Sequence, residues 1–203
     1  MIHLYANPIS TCTRKVLMAL LETETPYELH VIDFAKGEHK QEAHVSRQPF
    51  GQVPAIEHDG MTLFESRAIC RYISALSGDR LTPASTKDRA LMDQWSSVEQ
   101  TNLSPHAMKF IYHDVFKRPQ EQAVLDAAQA ALEKAFTVLS KPLASQEFLV
   151  GGKLTIADIG YVPYLELLPV TAAKATLEKF PHVLAWSGRL RERDSWRKIA
   201  GRA

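Results

Sequence analysis

The stretch Val53-Pro54-Ala55-Ile56-Glu57-His58-Asp59-Gly60-Met61-Thr62-Leu63-Phe64 decides the fold. Two short apolar runs, Ala55-Ile56 and Met61 to Phe64, flank Asp59-Gly60, a dipeptide suited to the tight turn of a β-hairpin. Downstream, Ala68, Ile69, Tyr72, Ile73 and Leu76 recur at helical spacing, so the hairpin runs into a helix. Upstream, Ile2 to Ala6 alternates apolar and polar residues before the turn signal Asn7-Pro8, which predicts a short strand. Val16, Ala19, Leu20 and Thr23 then predict a helix, with a boundary near Thr25 because the residue before Pro26 is pushed out of helical geometry. Leu29 to Phe34 reads as a second strand. Two strands joined through a helix make a right-handed βαβ unit with parallel strands. The order βαβ then ββα is that of a thioredoxin-like α/β domain, expected over residues 1–77.

Gly78-Asp79 and Pro83-Ala84 punctuate the chain next, and no alternating strand pattern returns beyond them. Leu91, Trp95 and Val98 form one helical stripe, and Leu125, Ala128, Leu132, Phe136 and Leu139 form another. Pro105 is expected to kink the first long helix. Thr155 and Asp158 have the spacing of a capping box. An all-α helical domain is therefore expected over residues 86–203.

Composition narrows the function. Of 203 residues, 45% are hydrophobic and 23% charged, which is ordinary for a folded protein. The formal net charge of +1 gives no reason to expect non-specific binding to nucleic acid or to a membrane surface. No run is long enough to span a bilayer, and the segment from Met1 to Tyr5 lacks the basic and apolar regions of a signal peptide, so a cytoplasmic location is expected. Cys12 and Cys70 are too few and too far apart for a disulfide framework or a CxxC motif. The eight histidines form no metal-spaced cluster with them, and no metal is expected.

Four motifs occur in order: Asn7-Pro8-Ile9-Ser10-Thr11-Cys12-Thr13-Arg14-Lys15-Val16-Leu17, Gly37-Glu38-His39-Lys40, Pro49-Phe50-Gly51-Gln52-Val53-Pro54-Ala55 and Phe64-Glu65-Ser66-Arg67-Ala68-Ile69. Together they resemble the glutathione S-transferases, especially the phi class. The likeness covers the whole first half and thins in the second to the region from Trp95 to Glu99 and the cap from Gly151 to Asp158. It implies a transferase that conjugates reduced glutathione to hydrophobic electrophiles, with glutathione in the first domain and the electrophile between the two. Ser10 lies where the first strand hands over to a helix; it caps that helix, and by resemblance it is the catalytic hydroxyl donating to the glutathione sulfur. Cys12, near the same helix end, is the rival for chemistry and otherwise a packed small residue.

The resemblance also implies a cis bond at Val53-Pro54 that presents the Val53 backbone to the glutathione cysteinyl residue as an added strand. Otherwise Pro54 is an ordinary turn proline. Glu65 and Ser66 stand at a helix start, where free amides and the helix dipole suit the γ-glutamyl carboxylate; Glu65 is alternatively only a favourable first-turn acid. His39 and Lys40 suit the glycyl carboxylate or form a solvated pair, and Gln52 adds a hydrogen bond. Ile9, Thr11, Met108 and Tyr112 border the electrophile by position, although Met108 and Tyr112 also suit a core. Phe50 is either a homodimer contact or buried in its own domain. Gln48 stands where many relatives have Asn, and the chain ends at Ala203, early for plant phi proteins. A non-enzymatic interaction module and a glutathione-dependent peroxidase are the competing readings.

Overall fold

The computed structural model describes residues 1–202; Ala203, the last residue of the expected helical domain, lies outside the described residues. Strand β1 (Ile2–Ala6) alternates as its sequence requires, with Ile2, Leu4 and Ala6 fully buried and His3 and Tyr5 on the other face. Helix α1 (Thr11–Thr23) ends at Glu24, which takes a left-handed conformation just before Pro26. Strand β2 (Tyr27–Val31) runs parallel to β1. It begins and ends earlier than the expected Leu29 to Phe34. The Asp33 carboxylate accepts the Ala35 amide at 2.8 Å and turns the chain, removing Asp33 and Phe34 from the strand.

A 3₁₀ turn (Glu38–Lys40) and the short helix α2 (Glu42–Val45) lead into strands β3 (Ala55–His58) and β4 (Met61–Phe64). Asp59 and Gly60 both have positive φ, 48° and 75°, as a two-residue hairpin of the predicted kind demands. Strand order is β2-β1-β3-β4, with β3 antiparallel to both of its neighbours. Helix α3 (Ser66–Leu76) packs on α1 and against the hairpin, burying Ile69 and Ile73.

The opposite sheet face carries a polar cluster. Tyr5 donates to Glu57 at 2.8 Å, and Arg47, just after α2, donates to the same carboxylate at 2.8 Å while lying 4.1 Å from the Tyr5 ring centre. The Tyr5 hydrogen bond, aided by Arg47, holds the Glu57 carboxyl below its usual value. This committed triad ties α2 to the centre of the sheet.

The remaining chain is helical. Helix α4 (Thr86–Val98) passes through a π turn (Glu99–Leu103) into α5 (Ser104–Phe110), and a second π turn (Ile111–Val115) follows. Pro105 therefore sits in the first turn of α5, where its missing N–H costs nothing, and the irregularity expected of it is taken up by the preceding π turn. Helix α6 (Gln122–Leu143) buries its stripe of Leu125, Ala128, Leu132, Phe136 and Leu139. Helices α7 (Ile156–Leu167), α8 (Lys174–Glu178), α9 (Pro181–Arg191) and α10 (Asp194–Ile199) complete the chain.

The compact units are Met1–Thr82 together with the segment from Asp194 onward, and Pro83–Arg193. The last helix thus departs from the expected domain 86–203 and joins the first unit. It packs on α1, with Trp196 fully buried and Ser195 bonded to Glu22. A helical period cannot say which partner a helix will choose.

Asp158 is the hub of the helical unit. Its carboxylate accepts from the Leu149 and Thr155 amides and the Thr155 hydroxyl, each at 2.9 Å, and from Trp186 Nε1 at 3.1 Å. Burial pushes its pKa up, opposed by these donors. Asp158→Ala would strand four buried donors, so it should destabilise the protein by about 3–5 kcal/mol, read as a lowered denaturant midpoint; Asp158→Asn should fall between.

Candidate functional site

Tyr5, Ala55 and Phe64 lie in one row across β1, β3 and β4. The chain leaves β1 after this row, enters β3 just before it, and leaves β4 at it. The segments around Ser10, Val53 and Ser66 therefore emerge at one end of the sheet.

The first segment is held by Asn7. Its side-chain amide donates to the Ile32 carbonyl at 2.9 Å, its side-chain oxygen accepts the Ile9 amide at 3.1 Å, and its carbonyl accepts the Ser10 amide at 3.0 Å. Ser10 is half-buried with extended backbone, and its Oγ accepts the Thr13 amide at 3.4 Å as the N-cap of α1. Accepting with Oγ leaves the hydroxyl proton available for donation. No acid stands in the first turn of α1, so the positive end of its dipole is uncompensated. Thr11 is buried and Ile9 is exposed beside Ser10, while Cys12 is half-buried and unbonded to any cysteine.

The second segment is braced from both sides. His44 Nε2 lies 2.6 Å from the Gln52 carbonyl, and the Gln48 side chain accepts the Gln52 amide at 2.9 Å. Lys40 Nζ donates to the Phe50 carbonyl at 3.2 Å. Gly51 has φ of 61°, and a Cβ there would lie 2.8 Å from Lys40 Cδ and 2.9 Å from the His39 carbonyl, so glycine alone lets the two loops close. Between these braces and β3, the Val53-Pro54 bond is cis, and Val53 makes no hydrogen bond among the described residues. Gln52 is exposed. His39 packs edge-on to Phe34 at 5.0 Å, with its Nδ1 buried and unpartnered.

The third segment turns at Glu65, whose φ of 71° and ψ of 108° are strained for a residue with a side chain. Ser66 follows, buried at the first position of α3, and neither a capping side chain nor a first-turn acid satisfies that helix start. Phe50 meets Phe64 edge-on at 6.2 Å, linking this segment to the second, yet remains 66% exposed.

Ser10, His39, Lys40, Gln52, Val53, Pro54, Glu65 and Ser66 thus all belong to the first unit. Met108, on α5, and Tyr112, which contacts Phe116 and Arg118, belong to the second. Sequence reasoning overlooked Asn7, His44 and Gly51 as positioning residues and treated Gln48 only as a departure from the usual Asn. Gly51 had a signal, as a glycine in a turn, and so did Asn7, in the Asn7-Pro8 turn whose oxygens accept the Ile9 and Ser10 amides; His44 and Gln48 act on Gln52 across a loop that no periodicity marks.

The chain matches the family models described as "Glutathione S-transferase, N-terminal domain" over residues 1–75 and "Glutathione S-transferase, C-terminal domain" over 95–194. It is 33% identical to glutathione S-transferase F7 of Arabidopsis thaliana, covering 98% of each chain. Glutathione transferase F2 from Populus trichocarpa has a TM-score of 0.93 at 31% identity, covering 99% of this chain and 98% of that one. Glutathione S-transferase I from mais, solved with an atrazine glutathione conjugate, has a TM-score of 0.90 at 32% identity, covering 98% and 96%. This chain belongs to the glutathione S-transferase family and is similar to its phi-class members.

Gly51→Ala tests the loop geometry. The positive φ and the clash with Lys40 and His39 should together destabilise the first unit by about 1–3 kcal/mol, seen as a lowered urea midpoint.

Proposed function

We propose that this chain joins reduced glutathione to small hydrophobic electrophiles, with Ser10 stabilising the glutathione thiolate. The observation that carries the reading is the split use of the Ser10 hydroxyl: its oxygen accepts from the Thr13 amide, and its proton remains to be donated to sulfur. A free thiol has a pKa near 8.5, and a donor plus a helix N-terminus favour its anion at neutral pH. The thiol proton passes to solvent, and the thiolate attacks an electron-poor carbon. A carbon–sulfur bond forms while a leaving group departs with its electron pair, or an added double bond takes up a proton. The atrazine conjugate bound by the mais relative supports this substrate class. Ile9, Thr11, Met108 and Tyr112 are proposed to contact the electrophile, and a detoxifying role follows from its chemistry.

Glutathione is proposed to lie along the three segments. Its cysteinyl backbone pairs with Val53, whose unpaired peptide groups after Gln52 and before the cis Pro54 suit an added strand. Its γ-glutamyl carboxylate meets Ser66 and the open amides of α3, with Glu65 facing the ammonium. Its glycyl carboxylate meets Lys40 and His39, with Gln52 supplying a further hydrogen bond. The exposed Phe50 suits insertion into a second copy, as a homodimer would require. The two unbridged cysteines suit the reducing cytoplasm.

Ser10→Ala should return the bound thiol's pKa towards its free value and lower kcat by roughly 10²-fold, with the KM for glutathione little changed. Ultraviolet titration of bound thiolate, together with initial rates, reads both. Cys12→Ala should keep most of the activity; a loss like that of Ser10→Ala would transfer the chemistry to the cysteine.

Lys40→Ala and Ser66→Ala should each weaken glutathione binding by about tenfold or more, because a hydrogen bond to a charged group contributes about 1.5–3 kcal/mol. The thiol pKa should move less than in Ser10→Ala. Calorimetric titration with unaltered affinity in both variants would overturn this map of the site.

A further inference from the structure

On the sheet face opposite α1 and α3, parallel pairing sets His3 beside Glu28 and Tyr5 beside His30. Alternation sends all four side chains to that one face. There His3 Nδ1 lies 3.1 Å from His30 Nε2 and 3.4 Å from Glu28 Oε2, and His30 Nε2 lies 3.7 Å from Glu28 Oε1. A zinc ion bound tetrahedrally at about 2.0–2.1 Å holds its ligand atoms roughly 3.3 Å apart; one ligand atom from each of His3, Glu28 and His30 already lies within 4.8 Å of the other two, so small rotations of exposed side chains close the group around an ion.

We propose that His3, His30 and Glu28 form a surface site for a divalent transition-metal ion, zinc being the reference case. The donor set of two imidazoles and one carboxylate suits such an ion better than the all-oxygen preference of magnesium or calcium. The neighbouring carboxylate, Glu57, pairs across β1 with His3 but is already engaged by Tyr5 and Arg47, which leaves Glu28 as the available acid. His30 stacks on Tyr5 with ring centres 4.7 Å apart and planes inclined by 17°, so its ring is held in place before an ion arrives. All three ligands reach solvent, with side-chain exposures of 42% for His3, 35% for His30 and 51% for Glu28. Water completes the fourth position.

Bound metal would fasten β2, an edge strand, to β1. Ser10 follows the far end of β1, so conjugation should not depend on the ion. Ligand spacings around the cysteines give no reason to expect a metal. Here the ligands come from two strands and are united by register, which no local spacing records.

The test is calorimetric titration of the full-length, chelator-treated protein with zinc chloride, alongside wild-type, His3→Ala, His30→Ala, Glu28→Gln and the surface control His182→Ala. The expected result is one zinc per chain, at least about tenfold weaker in each histidine variant and in Glu28→Gln, and unchanged in His182→Ala. Thermal midpoints measured in chelator establish that each variant is folded. Zinc at hundredfold excess over its wild-type dissociation constant should raise the wild-type midpoint by roughly 5–10 °C and that of folded His3→Ala by no more than about half as much. At one matched concentration, cobalt should give the visible absorption of a four-coordinate ion in wild type and His182→Ala and a much weaker one in the three ligand variants. Absence of zinc binding by wild type, or binding by both His3→Ala and His30→Ala equal to that of wild type, overturns the proposal and leaves a hydrogen-bonded imidazole pair.

Discussion

Backbone pairing of Tyr5 with Ala55, and of Ala55 with Phe64, is the constraint on which the candidate site depends. These pairs fix where three segments leave the sheet, far more firmly than contacts among the segments could. Each segment then needs only local devices. Asn7 shapes the first, His44 and Gln48 hold Gln52 by both of its backbone polar groups, and the hairpin delivers Glu65 into a strained turn. A one-residue slip of β3 against β1 would exchange its two faces, burying Glu57 and removing the partner of Tyr5 and Arg47.

The same strand serves two environments. Ile2, Leu4 and Ala6 supply the core, whereas His3 and Tyr5 build a polar surface with residues from β2, β3 and the chain after α2. That surface is organised by pairing across strands, so neighbouring positions in it are distant in sequence. His3 and Glu28 illustrate this: they are directly opposed in the sheet although a complete helix separates them along the chain.

This explains what could be read from the sequence. Elements with a local period were legible: β1 from alternation, α6 from its stripe, the hairpin from Asp59-Gly60, and the Thr155 and Asp158 box from spacing. The candidate residues of the first unit were legible because their motifs resemble a known family, not because periodicity marks them. What escaped had no local signature. The end of β2 was decided by one Asp33 hydrogen bond, the attachment of α10 by the burial of Trp196, and the support of Gln52 by His44, which stands eight residues upstream with no motif to mark it.

Electrostatics adds a final step. A net charge of +1 provides little long-range attraction for an anionic tripeptide, so recognition in the proposed reading must come from short-range donors. Helices α4 and α7 begin with Asp88 and Asp158 in their first turns, which offset the positive ends of their dipoles. Helices α1 and α3 carry no such acid, and α3 lacks a capping side chain as well; α6 and α9 are equally open, but only α1 and α3 start directly after strands of the sheet. Both open ends follow strands that end at the Tyr5–Ala55–Phe64 row, so the sheet aims two uncompensated helix starts toward one region. One would favour a thiolate and the other a carboxylate. In the proposed reading these two anions are the sulfur and the γ-glutamyl carboxylate of glutathione, and the strained Glu65 turn, which carries the chain from β4 into α3, sets where the second helix start lies.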